Sequence, residues 1–259
     1  MILVITNDKR MTCIADELSE FFPVFRSTND FKESNIKEVK FAVLPFKTDR
    51  DEMINLTKIL PETCIIFTPV MRDFLENISQ EIIIMMDYDE IAIYNSIPTA
   101  EGVIYNIIKN TEHTIHNSRI HIMGAGRCGE TLAKNLKSLG ARVTISSRNP
   151  ALTARMFESG MQVVKEDRDL LANVDIIVNT VPAMVLDEEK LNYVEKSVYI
   201  ADIATAPGGV DFEYAQKRGI NAQLLPALPG IVAPTTSAKY LANFIKREIN
   251  GRGNVYARN

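Results

Sequence analysis

The string Gly124-Ala125-Gly126-Arg127-Cys128-Gly129 follows the apolar run Arg119-Ile120-His121-Ile122-Met123. It opens a segment of helical spacing, Glu130-Thr131-Leu132-Ala133-Lys134-Asn135-Leu136. Glycines also mark ordinary turns, so a GxGxxG string alone is a weak signal; between a strand and a helix it predicts a dinucleotide-binding loop. The chemistry gives each glycine a task. Gly124 makes the tight turn, Gly126 lets backbone approach a pyrophosphate, and Gly129 allows close helix-to-strand contact. The helix start then offers oriented N–H donors to phosphate oxygens. Within the loop, Ala125 is expected against the cofactor and Arg127 is expected to reach the pyrophosphate or cover the adenine. Cys128, lacking a partner histidine, is expected to be a small loop residue rather than a nucleophile.

Around this loop the chain reads as α/β. Short apolar runs at Ile120-Met123, Arg142-Ser146, Gln162-Val164, Ile176-Asn179, Val198-Ile203 and Asn221-Leu224 alternate with helix-length intervals. They predict a six-stranded NAD(P)-binding Rossmann domain. Four similar runs, Ile2-Ile5, Phe41-Leu44, Cys64-Phe67 and Ile82-Met86, predict a smaller N-terminal α/β domain of flavodoxin-like or Rossmann-like type over residues 1–95. The stretch from Asn95 to Gly102 reads as a hinge with Thr99 capping a connecting helix. The Rossmann domain with this hinge helix is then expected over 96–235. A last helix, with Ala238, Leu241, Ala242, Phe244 and Ile245 on one face, is expected over 236–259, packing back on the domain junction and ending in a mobile tail after Asn250.

The end of the second Rossmann strand selects the cofactor. An NAD site places a carboxylate there for the ribose 2′-hydroxyl, whereas NADP needs cationic and small polar groups for the 2′-phosphate. Here the strand ends in Ser147-Arg148-Asn149. Arg148 can pair bidentately with a phosphate, and Ser147 and Asn149 can donate hydrogen bonds, so NADP is expected. Asn179, Thr180, Val181 and Pro182 close the fourth strand, where ligands of open α/β sheets bind, and are expected to complete the cofactor site.

Composition excludes several classes. In 259 residues, 46% hydrophobic and 24% charged, the formal charge is −4 with both signs interspersed, so neither nucleic acid nor a membrane surface is expected as a partner. No secretory leader or membrane-spanning run is read, and a cytoplasmic location is expected. The three cysteines, Cys13, Cys64 and Cys128, show no metal-binding or disulfide spacing, and no metal is expected. All three histidines precede the glycine loop, which argues against a 2-hydroxyacid dehydrogenase with a late catalytic histidine. His121, inside a strand, reads as a packed histidine.

Candidate substrate groups come from the hinge and from the late proline-rich loop. Ser96, Thr99, Pro229, Gly230, Thr235 and Ser237 suit a small anionic substrate, with Asn95 and Glu101 as catalytic candidates. Asp8, Lys9 and Arg10 either face the same cleft or form a charged turn.

The strings Asn95-Ser96-Ile97-Pro98-Thr99-Ala100-Glu101-Gly102, Thr114-Ile115-His116 and Leu228-Pro229-Gly230-Ile231-Val232-Ala233-Pro234 resemble the family of dipicolinate synthase A subunits of spore-forming bacteria. The resemblance runs from about residue 80 to the C-terminus. It implies a protein working with a flavoprotein-like B subunit in the sporulating mother cell, self-association being left open. The implied reaction removes two hydrogens from a dihydrodipicolinate-type precursor of the lysine branch and passes them to NADP, forming pyridine-2,6-dicarboxylate. The chain departs from related sequences in having Thr205-Ala206, not a basic residue, before Pro207. Two other readings fit the residues: an NADP-dependent dehydrogenase of a small carboxylate, like shikimate dehydrogenase, and a non-catalytic NADP-binding sensor.

Overall fold

Runs such as Ile176-Ile177-Val178 and Ile65-Ile66-Phe67 are apolar on both faces, which suits only strands covered by helices on both sides, and such sheets are parallel. The computed structural model describes residues 1–27 and 33–256 and contains two such sheets, each fully parallel, in two compact units.

The first unit comprises Met1–Asn95 and Pro229–Asn259. Its elements are β1 (Ile2–Val4), α1 (Lys9–Ser19), β2 (Val24–Arg26), β3 (Phe41–Val43), α2 (Arg50–Ile59), β4 (Ile65–Thr68) and β5 (Glu81–Ile84). The strand order is β2-β1-β3-β4-β5, the flavodoxin-like order. Val24-Phe25-Arg26 is not expected as a strand from its sequence; it is an edge of three half-buried residues, too short to show alternation.

A long helix, α3 (Asp89–Asn110), leaves this unit and enters the second, Ser96–Leu228. Its course corrects the expected break. Pro98 lies inside the helix, and Thr99 is a buried interior residue instead of an N-cap. Proline removes one backbone donor and normally kinks or ends a helix. Here burial outweighs that cost, because Ile91 joins the core of the first unit and Ala100, Val103 and Ile107 join that of the second.

The second unit continues with β6 (Arg119–Met123), α4 (Arg127–Ser138), β7 (Arg142–Ser146), α5 (Pro150–Glu158), β8 (Gln162–Val163), α6 (Arg168–Ala172), β9 (Ile176–Asn179), α7 (Glu188–Leu191), β10 (Tyr199–Asp202), α8 (Phe212–Arg218) and β11 (Asn221–Leu224). The order β11-β10-β9-β6-β7-β8 reverses between β6 and β9, with Ile120 opposite both Val143 and Ile176. That reversal is the switch point of a Rossmann sheet, and it brings the carboxyl ends of β6 and β9 together. One face of the sheet packs under α3 and α4 through Val103, Ile107, Leu132 and Leu136; the other buries Leu191, Val194 and Ala215.

A short helix, α9 (Leu228–Val232), spans the boundary between the units, and α10 (Pro234–Tyr256) completes the first. The segment from Pro229 therefore belongs with the N-terminal unit, where α10 packs against α1 and buries Ala238, Leu241 and Ile245. Residues 251–256, expected to be mobile, continue the helix, and 257–259 lie outside the described residues. Ser237 is interior to α10, its N–H bonded to the Ala233 carbonyl. Among the described residues no helix is long and apolar enough to cross a membrane.

Candidate functional site

At the switch point the second unit opens a cleft of about 870 Å³. The loop after β6, the turn after β7, the segment after β8 and the turn after β9 line it, through Gly124–Gly126, Ser146–Asn149, Val163–Glu166 and Thr180–Pro182. The glycine loop is shaped as its residue types require. Gly124 has φ +101°, a conformation side-chain-bearing residues rarely adopt, and a Cβ there would fall 2.3 Å from Thr180 Oγ1. A Cβ on Gly129 would fall 2.0 Å from the Gly124 carbonyl oxygen, so α4 lies directly against the loop. Gly126 differs: a Cβ there would meet nothing within 4 Å, leaving open space at the N-terminus of α4. No side chain caps that helix start, so its N–H groups remain available to an anion. These features fit a bound dinucleotide phosphate.

Thr180 holds the loop from the other side, its Oγ1 donating to the Met123 carbonyl at 3.0 Å. Asn179 has a different position from the one expected. It is fully buried and outside the cleft lining; its Nδ2 donates to Asp202 Oδ1 at 3.0 Å and to the Val181 carbonyl, while its Oδ1 accepts the Val181 N–H. Asp202 in turn accepts the N–H groups of Ala204 and Gly209. Asn179 and Asp202 thus fix the turns after β9 and β10, setting Val181 and Pro182 at the cleft.

The turn after β7 divides its labour. Asn149 caps α5, its Oδ1 accepting from Ala151 and Leu152, and Ser147 Oγ accepts the Asn149 N–H. Arg148 is exposed, lines the cleft and has no hydrogen-bond or ion-pair partner among the described residues. Arg127 is exposed beside the loop, and neither it nor Cys128 nor Gly129 lines the cleft. Burial, only partly offset by the Arg127 charge, raises the Cys128 thiol above its ordinary value, which disfavours the reactive thiolate.

Four charged lining residues, Lys165, Glu166, Asp187 and Lys190, escape the sequence reading. Glu166, after β8, accepts a 2.6 Å bond from Lys190 of α7 and a 2.5 Å bond from Ser146. His121 lies behind them, fully buried, with Nδ1 2.9 Å from Thr144 Oγ1 and Nε2 3.2 Å from Ser146 Oγ. Burial pushes the Glu166 carboxyl up; His121, at 3.8 Å too distant for a direct hydrogen bond, and the bonds from Lys190 and Ser146 more than reverse this, to about 2. The only signal for the pair is positional, since carboxyl ends of strands form such sites.

A pH dependence follows. A carboxylate held below its ordinary value stabilises the fold above the unfolded pKa, and that contribution disappears as pH falls towards the folded one. The stability advantage of the wild type over Glu166→Gln should therefore shrink from about pH 4.5 down to about pH 2, as read by urea midpoints across that range. A constant difference would mean that the carboxylate is not held ionised.

The remaining candidates are placed within their own units. In the second, Ser96 is fully buried with Oγ 2.6 Å from Thr131 Oγ1 on α4, Thr99 is buried, and Glu101 is exposed on α3. In the first, Asn95 is half-buried, Thr235 Oγ1 lies 3.9 Å from Cys13 Sγ, and Ser237 is buried with no partner for its hydroxyl among the described residues. Pro229 is buried, and Gly230 lies against Arg10. No cluster of three metal-ligating side chains occurs among the described residues.

Residues 99–210 match the family model of the D-isomer specific 2-hydroxyacid dehydrogenase, NAD binding domain. The chain is 41% identical over 193 residues to the A subunit of dipicolinate synthase from Bacillus subtilis, a match covering 72% of this chain and 65% of that protein's length. Among solved structures it resembles the A subunit of dipicolinate synthase from Bacillus halodurans, with 31% identity, a TM-score of 0.86, and coverage of 95% of this chain and 96% of the other. The crystal structure of the same subunit from Bacillus subtilis superposes with a TM-score of 0.85 and 31% identity, covering 100% of this chain and 97% of that one.

Proposed function

The chain belongs to the family of dipicolinate synthase A subunits, and from that premise we propose that it is an NADP-dependent dehydrogenase that aromatises a dihydrodipicolinate-type precursor to pyridine-2,6-dicarboxylate. The observation that carries the cofactor choice is the turn after β7. It presents Arg148, exposed and unpaired among the described residues, to the cleft where an NAD site would have a carboxylate. Lys165 is a second exposed cation on the lining. Of the lining carboxylates, Glu166 is neutralised by Lys190, and Asp187 is engaged in capping α7. A 2′-phosphate would meet net positive charge there.

In this reading Gly124, Ala125, Gly126 and the start of α4 hold the pyrophosphate, Gly129 keeps the helix close, and Arg148 with Ser147 and Asn149 holds the 2′-phosphate. Thr180, Val181 and Pro182 wall the nicotinamide end. Bound NADP supplies a two-electron acceptor: the precursor loses a hydride and a proton, and NADPH and the aromatic diacid result. Formation of the stable ring favours proton loss, so water is a sufficient acceptor and Glu101, exposed on α3, is not required. The reaction belongs to the sporulating mother cell, and the partner is a flavoprotein-like B subunit.

The test is turnover of freshly generated precursor with NADP, using the chain alone and with its B subunit. Pyridine-2,6-dicarboxylate and NADPH should appear together, and Glu101→Ala should retain most of the rate. Absence of both products with the partner present would leave only a cofactor-binding role.

A further inference from the structure

Arg10 is a buried charge of the first unit with no ion-pair partner among the described residues. It sits in the first turn of α1, 2% exposed. Among the described residues its buried Nε has no hydrogen-bond partner, and no carboxylate forms an ion pair with it. Asp8, whose charge acts on it from a distance, is committed to capping α1 through the Met11 N–H. The guanidinium lies 3.3 Å from the centroid of the Phe46 ring, and Gly230 faces it closely: a Cβ there would fall 3.3 Å from Arg10 Cζ and 3.4 Å from Nε and Nη2.

The Phe46 ring under the guanidinium and the charge of Asp8 favour the cation, but its burial without an acid partner among the described residues raises the energy of the protein without a ligand. A buried guanidinium is ordinarily paired with an acid. A cation in the first helical turn opposes the helix dipole, and only the N-cap carboxylate of Asp8, with no acidic residue in the turn itself, offsets it. Burial, only partly countered by Asp8, lowers the Arg10 pKa to about 10, so the group still carries its charge at neutral pH. A second guanidinium converges on the same loop: Arg72 Nη2 donates to the Phe46 carbonyl at 2.7 Å, and its Nε is buried and unbonded. Local rules broken together at one place are characteristic of a functional site.

We propose that Arg10 is the binding group of a small-carboxylate site in the first unit, with the missing side chain of Gly230 making room for its planar fork. An arginine in this setting can take a carboxylate bidentately, supplying a negative charge that no described residue provides. The ligand class is a small carboxylate; that it is a pyridine dicarboxylate rests on the function proposed above.

The test compares thermal unfolding and calorimetric binding of wild type, Arg10→Met and Gly230→Ala, with and without saturating NADPH. The probes are pyridine-2,6-dicarboxylate and malonate. Removing an unpaired buried charge should leave the melting temperature of Arg10→Met equal to or above that of the wild type, while carboxylate affinity falls about 10- to 100-fold, the scale of a charge-assisted hydrogen bond. Gly230→Ala should weaken binding while keeping the charge, which holds the test open should Arg10→Met not fold. If malonate binds in an Arg10-dependent way and pyridine-2,6-dicarboxylate does not, the site stands and the dipicolinate reading falls. If the variants bind pyridine-2,6-dicarboxylate as the wild type does, or no carboxylate binds the wild type, the assignment of Arg10 is overturned.

Discussion

Replacing Gly129 with alanine is expected to abolish dinucleotide binding and to lower stability. The new methyl would lie 2.0 Å from the Gly124 carbonyl oxygen and 3.0 Å from its carbonyl carbon, both backbone atoms, so no side-chain rotation relieves the clash. Either α4 moves off β6 or the loop opens. In both cases the helix N–H groups leave the position where phosphate oxygens would meet them. Overpacking of this kind costs about 1–3 kcal/mol of stability, measurable as a urea midpoint. Cofactor affinity should drop below detection by calorimetry. Gly126→Ala makes the informative contrast. With nothing within 4 Å of its methyl, it should fold as the wild type does while obstructing the approach of the pyrophosphate. Wild-type NADP affinity in Gly129→Ala would refute the role given to the loop.

The second large effect concerns which dinucleotide binds. Arg148→Ala should weaken NADP by about 1.5–3 kcal/mol, the range for a hydrogen bond to a charged group, which corresponds to roughly 10- to 150-fold in affinity. NAD, lacking the 2′-phosphate, should be almost unaffected. Because Arg148 is exposed and makes no contact that stabilises the fold, its loss should leave the melting temperature within experimental scatter. Equal losses for both cofactors would assign Arg148 to the pyrophosphate instead. Ser147 and Asn149 should contribute less, because their O–H and Nδ2 groups are neutral donors, without the charge that Arg148 brings to a phosphate.

The second sheet is legible almost element by element in the sequence, because buried parallel strands appear as unbroken apolar runs and the glycine loop fixes where the first of them ends. The misreadings share a physical origin in tertiary burial overriding a local signal. Pro98 and Thr99 carry a strong helix-start signature, yet a 22-residue helix runs through them because its two halves are anchored in different cores. Gly251 likewise does not end α10, which continues to Tyr256. The place of Asn179 at a strand end points to the cofactor, but the buried carboxylate of Asp202, 23 residues later, turns it inward. Glu166 and Lys190 are 24 residues apart and become a pair only when β8 and α7 are set side by side at the cleft. Arg10 is open to two readings in the sequence, a cleft residue or part of a charged turn. Its burial and lack of an acid partner among the described residues are properties of the fold alone.

On the proposed function, two hydrogens leave the precursor ring and one passes as hydride to NADP. The most direct measurement uses precursor deuterated at the saturated ring carbons, supplied with NADP to the chain and its B subunit, with the reduced cofactor characterised by mass spectrometry. NADPH one mass unit heavier is expected, formed in equal amount to pyridine-2,6-dicarboxylate. Aromatic product appearing without labelled NADPH would contradict hydride transfer to the cofactor.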